Sequence, residues 1–147
     1  MFALAKEDLN RLLPHGGAMR LLDRVESWDD ESIRCGAWSH RDPANPLRYE
    51  GGLHVVAGLE YAAQAVGVHV ALRGGGGAKD PVVGVVGGVR DVVCRGNRLD
   101  ICSDELTIEA VRLFGNEQGV LYRFMLLVGG TEIMRGRLSI FFQGDPV

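Results

Sequence analysis

One stretch constrains this 147-residue chain more than any other: residues 53–72, Leu53-His54-Val55-Val56-Ala57-Gly58-Leu59-Glu60-Tyr61-Ala62-Ala63-Gln64-Ala65-Val66-Gly67-Val68-His69-Val70-Ala71-Leu72, apolar nearly all round. A helix of that kind is normally buried, so the rest of the chain has to wrap it. Inside it sits one carboxylate, Glu60, the only acidic residue between Glu50 and Asp80. Burying a lone carboxylate disfavours its charged form, so its pKa is expected to rise from about 4.3. Such a group holds a proton near neutral pH and can deliver it, which is the task of a general acid. The alternatives are a glutamate hydrogen-bonded inside a dimer interface, or one reaching out to the helix edge. The stretch is long enough to span a membrane. Its polar residues Glu60, His54, Gln64 and His69, and the Gly74-Gly75-Gly76-Gly77 run after it, favour a buried helix of a soluble protein instead.

The flanking sequence supplies the wrapping. Residues 5–12 read as a short helix ended by Pro14, Gly16 and Gly17. Extended segments follow around Leu21–Val25 and Ile33–Trp38, separated by a turn at Asp29-Asp30. Residues 40–52, rich in Pro, Gly, Asn and Asp, form an irregular connection. Beyond the glycine run, Val82–Val93, Leu106–Phe114, Val120–Val128 and Thr131–Phe142 read as strands, the last two joined at Gly129-Gly130. Helix and strands are segregated rather than alternating, which indicates α+β. An antiparallel sheet around one long buried helix is the hot-dog architecture, as a single domain over 1–147. Its exposed edge is expected to be covered in a two-fold homodimer.

The hydrophobic share of 46% and charged share of 24% describe a soluble globular protein, and a net charge of −3 argues against a general nucleic-acid binder. Cys35, Cys94 and Cys102 share no metal-like spacing; Cys35 and Cys102 fall in strand-like segments, with Cys94 beside one. With no secretory signal at the start, they point to free thiols in a reducing cytoplasm.

Leu12-Leu13-Pro14-His15-Gly16-Gly17-Ala18-Met19-Arg20-Leu21-Leu22-Asp23-Arg24-Val25 resembles the opening of the 3-hydroxyacyl-[acyl carrier protein] dehydratases, roughly LLPHRxPFLLVDRV. Glu60-Tyr61-Ala62-Ala63-Gln64 is similar to their helix segment E-A-M-A-Q, whose acid is catalytic. Gly88-Val89-Arg90-Asp91 looks like the strand along their acyl tunnel. Ser39-His40-Arg41-Asp42-Pro43-Ala44-Asn45-Pro46-Leu47-Arg48, with His69, resembles a divergent branch associated with aryl-polyene biosynthesis. One departure matters: the G-H-F-P-G loop of the main branches, whose histidine works with the helix acid, is absent. Tyr49-Glu50-Gly51-Gly52-Leu53-His54 stands in its place.

The resemblance makes Glu60 the expected catalytic acid. His54 is the nearest imidazole in sequence, although six residues on one helix would separate the two by about 240°, or 120° the short way round. In hot-dog dimers the two catalytic groups can come from opposite protomers, so His54 stays a candidate base; otherwise it is a residue at the helix opening with a satisfied ring. Gln64 lies four residues beyond Glu60 on the same face and is placed to orient its carboxylate, or else sits at a dimer seam. Gly51 and Gly52 precede the helix and could offer amides to a thioester oxygen, or form a simple turn. His15 is expected to brace its loop, His40 to approach from a loop, and His69 to face away from Glu60. Arg73, Lys79, Arg90, Arg95 and Arg98 could contact an acidic carrier if they cluster.

The expected activity is dehydration of a 3-hydroxyacyl thioester on acyl carrier protein to the trans-2-enoyl form, with no metal and no redox cofactor, and with neither nucleic acid nor membrane as partner. The rivals are an acyl-thioester hydrolase on the same fold, and a non-catalytic acyl-binding subunit.

Overall fold

The computed structural model describes residues 3–9, 11–12, 19–74 and 84–143, with the backbone alone at Lys6. Pro14, His15, Gly16, Gly17, Gly75–Gly77, Lys79 and the first two valines of the predicted strand at 82 lie outside the described residues. Strand β1 (Leu4–Ala5) leads into α1 (Lys6–Leu9), shorter than the helix expected over 5–12. Strands β2 (Arg24–Trp28) and β3 (Ser32–Ala37) precede the long helix α2 (Gly58–Arg73). Then come β4 (Gly84–Cys94), β5 (Leu106–Gly115), β6 (Gly119–Val128) and β7 (Thr131–Phe142). All seven strands form one antiparallel sheet in the order β1-β2-β3-β5-β6-β7-β4. The chain is α+β with the hot-dog architecture.

Alternation along the strands explains how the sheet holds the helix. In β6, Tyr122, Phe124 and Leu126 point inward while Arg123 is exposed; in β7, Met134, Gly136 and Leu138 are buried and alternate with exposed Arg135 and Arg137. Helix α2 lies on the inward face, chiefly against β5, β3 and β6. It contributes Tyr61, Ala62, Ala65, Val66 and Val68 to the core. Each large apolar side chain so buried stabilises the fold by about 1.5–3 kcal/mol. Gly58 sets how closely the helix start approaches: a Cβ there would lie 2.8 Å from Leu126 Cδ2 and 3.1 Å from Met134 Sδ.

The helix is less enclosed than an all-round apolar sequence implies. Leu59, Ala63, Gly67, Val70, Ala71 and Leu72 on its outer side are only half-buried. Residues Val55–Arg73 are long and apolar enough to cross a membrane, but α2 packs one face into the sheet as a core helix does. At the far edge, β4 exposes Val85, Val86 and Val92. Cys35 is buried in β3 and Cys94 ends β4, whereas Cys102 lies in the loop before β5 rather than in a strand.

His69 closes the core near the other end of α2. It is fully buried, with Nε2 2.6 Å from the Asp29 carbonyl and Nδ1 2.5 Å from the Tyr122 hydroxyl. A carbonyl only accepts, so Nε2 carries the proton and Nδ1 accepts from Tyr122. The neutral ring is therefore satisfied, and burial pushes its pKa down against the opposing bond to Asp29. The His40 ring, also buried, is shifted down for the same main reason. Below the unfolded value of about 6.5, the unfolded chain takes up protons that the folded chain refuses, so stability falls as pH drops through that value. The urea midpoint should be lower at about pH 5.5 than at about pH 7.5, and His69→Gln should reduce that difference.

Candidate active site

The start of α2 is fixed before any functional side chain is placed. Leu53 donates to Asp100 Oδ1 at 2.9 Å, Leu99 donates to the Leu53 carbonyl at 2.8 Å, and Val55 donates to the Asn97 carbonyl at 2.8 Å. Asp100 is itself ion-paired with Arg98, and these donors hold its carboxyl well below the usual range. A 3-10 turn, Val55–Ala57, then carries the chain into α2. The helix opening is thus riveted to the loop that follows β4.

Glu60 sits in the first turn of α2 and is half-buried rather than enclosed, because the outer side of the helix is open. Gln64, one turn on, is 1% exposed and makes three contacts. Its Oε1 accepts from the Leu21 amide at 2.9 Å, its Nε2 donates to the Met19 carbonyl at 2.6 Å, and the same Nε2 lies 3.4 Å from Glu60 Oε1. Two short bonds to main chain fix which way the amide faces; the third, longer contact points its N–H at the carboxylate. Gln64 is therefore buried rather than at an exposed seam, with one amide N–H toward the Glu60 carboxylate.

A second set of polar groups reinforces the same backbone. Ser39 Oγ donates to the Leu21 carbonyl at 2.6 Å and lies 2.7 Å from the Tyr61 hydroxyl. Asn45 Nδ2 reaches the Ser39 carbonyl at 2.9 Å and the Tyr61 hydroxyl at 3.1 Å. Leu21 is thus held at its N–H by Gln64 and at its carbonyl by Ser39. Sequence reasoning missed Ser39, Asn45 and Tyr61. All three fall inside the segments that carried the family resemblance, 39–48 and 60–64, which gave them no individual role.

His54, Gly51 and Gly52 fall in a different place. With Tyr49, Glu50 and Arg98 they line a shallow groove of about 300 Å³. His54 is exposed, and its Nδ1 accepts from the Val56 amide at 3.0 Å, capping the 3-10 turn. With Nδ1 so used, the neutral ring carries its proton on Nε2 and has no free nitrogen lone pair to act as a base. Tyr49 and Gly52 exchange backbone bonds of 2.9 and 3.2 Å around Glu50 (φ 50°) and Gly51 (φ 80°). That is a type I′ turn, in which both central residues need positive φ. Residues 53–57 separate it from α2, and the Gly52 amide is committed to Tyr49. The two glycines therefore do not stand at the helix N-terminus, and the geometry is that of a turn rather than an oxyanion hole.

The remaining imidazoles are placed elsewhere. His40 is buried, stacked on Trp38 at 6.4 Å, with Nε2 3.1 Å from the Cys102 carbonyl. His69 is the core residue bonded to Tyr122. Among the described residues, no group of three His, Cys, Asp or Glu side chains is placed to hold a metal ion.

Gln64→Leu should cost about 1–3 kcal/mol, because it orphans the buried Leu21 amide and removes the bond to the Met19 carbonyl. Gln64→Glu, which keeps an acceptor for Leu21 but loses the N–H donors to Met19 and Glu60, should also be destabilised at neutral pH. Chemical denaturation of the three proteins checks both.

Comparison with known proteins follows the same lines. The profile of the ApeP-like family, described as ApeP dehydratase, matches residues 7–146. The dehydratase heterocomplex ApeI:P from Xenorhabdus doucetiae contains a chain 26% identical to this one, with a TM-score of 0.82 over 93% of this chain and 91% of that one. A hypothetical thioesterase with coenzyme A from Streptococcus pneumoniae is 17% identical, with a TM-score of 0.58 over 84% and 87% of the two chains. A thioesterase from Haemophilus influenzae is 14% identical, with a TM-score of 0.64 over 94% and 90%. The two thioesterases share the fold. No curated protein sequence matches.

Proposed function

This chain belongs to the ApeP-like dehydratase family, and from that premise we propose that it dehydrates a 3-hydroxyacyl thioester carried on acyl carrier protein to the trans-2-enoyl form. The observation that carries the reading is the Glu60–Gln64 pair: a half-buried carboxylate in the first turn of the long helix, with a locked amide N–H aimed at it. Glu60 protonates the departing hydroxyl, and Gln64 holds the carboxyl in the orientation that reaction needs.

The base that removes the Cα proton comes from a second subunit. Among the described residues, His54 is occupied as a cap, His69 is bonded to Tyr122 and Asp29, and His40 is fully buried with Nε2 on the Cys102 carbonyl. Two apolar surfaces support association: the half-buried outer side of α2, and β4, an edge strand with exposed valines. Edge strands of that kind are stabilised by pairing with another chain. That the similar ApeI:P protein is a heterocomplex supports a partner, whether a second copy or a related hot-dog subunit.

Mass spectrometry of a carrier-bound 3-hydroxyacyl chain tests the proposal. The wild-type assembly should remove one water, and Glu60→Gln should slow that loss by about a hundredfold or more, the usual contribution of a positioned acid. Release of the whole acyl group would replace the reading with thioester hydrolysis. No change in mass across several chain lengths, with the partner present, would leave an acyl-binding subunit.

His54→Asn retains a capping side chain and removes the imidazole. It should leave turnover within about threefold of wild type and stability within about 1 kcal/mol; a loss on the scale of Glu60→Gln would restore His54 as the base. Val86→Lys in β4 should weaken association, read as a shift to monomer in analytical ultracentrifugation.

A further inference from the structure

The side of the sheet turned away from α2 carries a pattern that the proposed chemistry does not use. Directly paired residues on antiparallel strands share a face. Arg90 of β4 pairs with Arg137 of β7, and Arg137 pairs with Arg123 of β6. Three arginines thus stand in one row across three strands, and Arg135 stands in the next row beside Met125. Like charges directly opposite one another destabilise a sheet. Asp91 pairs with Arg137, and Glu132 with Arg135, but Arg90 and Arg123 form no ion pair among the described residues.

Two further observations turn the row into a surface. Arg123, Arg135 and Arg137 line a groove of about 340 Å³ together with Val111, Met125, Gly136 and two carboxylates, Asp91 and Glu109, which are already ion-paired with Arg137 and Arg34. On the same face, Phe114 pairs with Leu121, and Phe141 pairs with Val85 on one side and Gly119 on the other. Phe114 is 61% exposed and Phe141 56%, an unusual outlay of aromatic surface for a chain in water. Exposed aromatics beside arginines are the composition of protein interfaces.

We propose that this face docks an acidic amphipathic helix of a partner protein, apolar side toward Phe114, Phe141 and the groove floor, carboxylates toward the arginine row. The spacing fits: adjacent strands lie about 4.8 Å apart, and residues i and i+4 of a helix about 5–6 Å apart, so successive carboxylates meet successive arginines. A second copy of this chain is a poor occupant, because two-fold packing of the face on itself would oppose arginine rows. A bilayer is disfavoured by shape, since the arginines rim a concavity rather than flank a protruding apolar ridge. The face is separated from Glu60 by the sheet, so the inference stands apart from the catalytic reading.

The test titrates the full chain with a synthetic helix bearing glutamates at i and i+4 beside a leucine stripe, and with the same helix bearing lysines, followed by fluorescence anisotropy. The acidic helix should bind, the basic one should not, and added salt should weaken binding. Arg123→Glu and Arg90→Glu should each weaken it about tenfold or more, while thermal stability holds or rises because repulsion in the row is relieved. Binding of the acidic helix that is indifferent to both substitutions would overturn the proposal. So would absence of peptide binding, and co-sedimentation with phosphatidylglycerol vesicles in that case would assign the face to an anionic membrane.

Discussion

One side-chain amide ties the two halves of this molecule together. Gln64 leaves the long helix and takes both the Met19 carbonyl and the Leu21 amide, so the segment leading into β2 is fastened to α2 by two short bonds. The bond to Leu21 is nearly obligatory, since its buried amide left alone would carry the full cost of its lost water. The position of Glu60 is a by-product of that fastening: the amide that satisfies the backbone has one N–H direction left, and the carboxylate lies along it. The fastening of the backbone and the contact to the carboxylate thus share one side chain.

Much of the fold was legible because it follows periodicity. Strands β5, β6 and β7 alternate buried and exposed residues along their length, and the turn glycines Gly129 and Gly130 both adopt positive φ. The long helix was legible as an apolar run, and Gln64 followed from the four-residue spacing. The run overstated burial, however: sequence shows that a side chain is apolar, not whether its own chain covers it. The outer row of α2 is apolar and half-open, and Glu60 shares that exposure.

What was not legible depends on contacts distant in sequence. The Ser39–Tyr61–Asn45 cluster joins residues up to 22 positions apart, and nothing local distinguishes that tyrosine from any other core aromatic. His54 illustrates the opposite error. It stayed a candidate only because the two groups could come from opposite protomers; within the chain a 3-10 turn separates it from α2 and the ring is used to begin that turn. The glycines at 51 and 52 likewise looked like helix-terminal amides, and proved to be the tip of a self-bonded turn.

The last strand in the sheet carries a consequence of its own. Strand β4 reaches its place only after the chain has passed from β3 through α2, and it pairs with β7 alone while exposing valines. A strand bonded on one side gains the rest of its stability from whatever binds the other, and that gain grows with the logarithm of the binder's concentration. Under the proposed association the midpoint of unfolding becomes a property of the solution as much as of the chain: dilution would lower it, and a chain made in excess of its partner would be left at the weak end of its own stability curve.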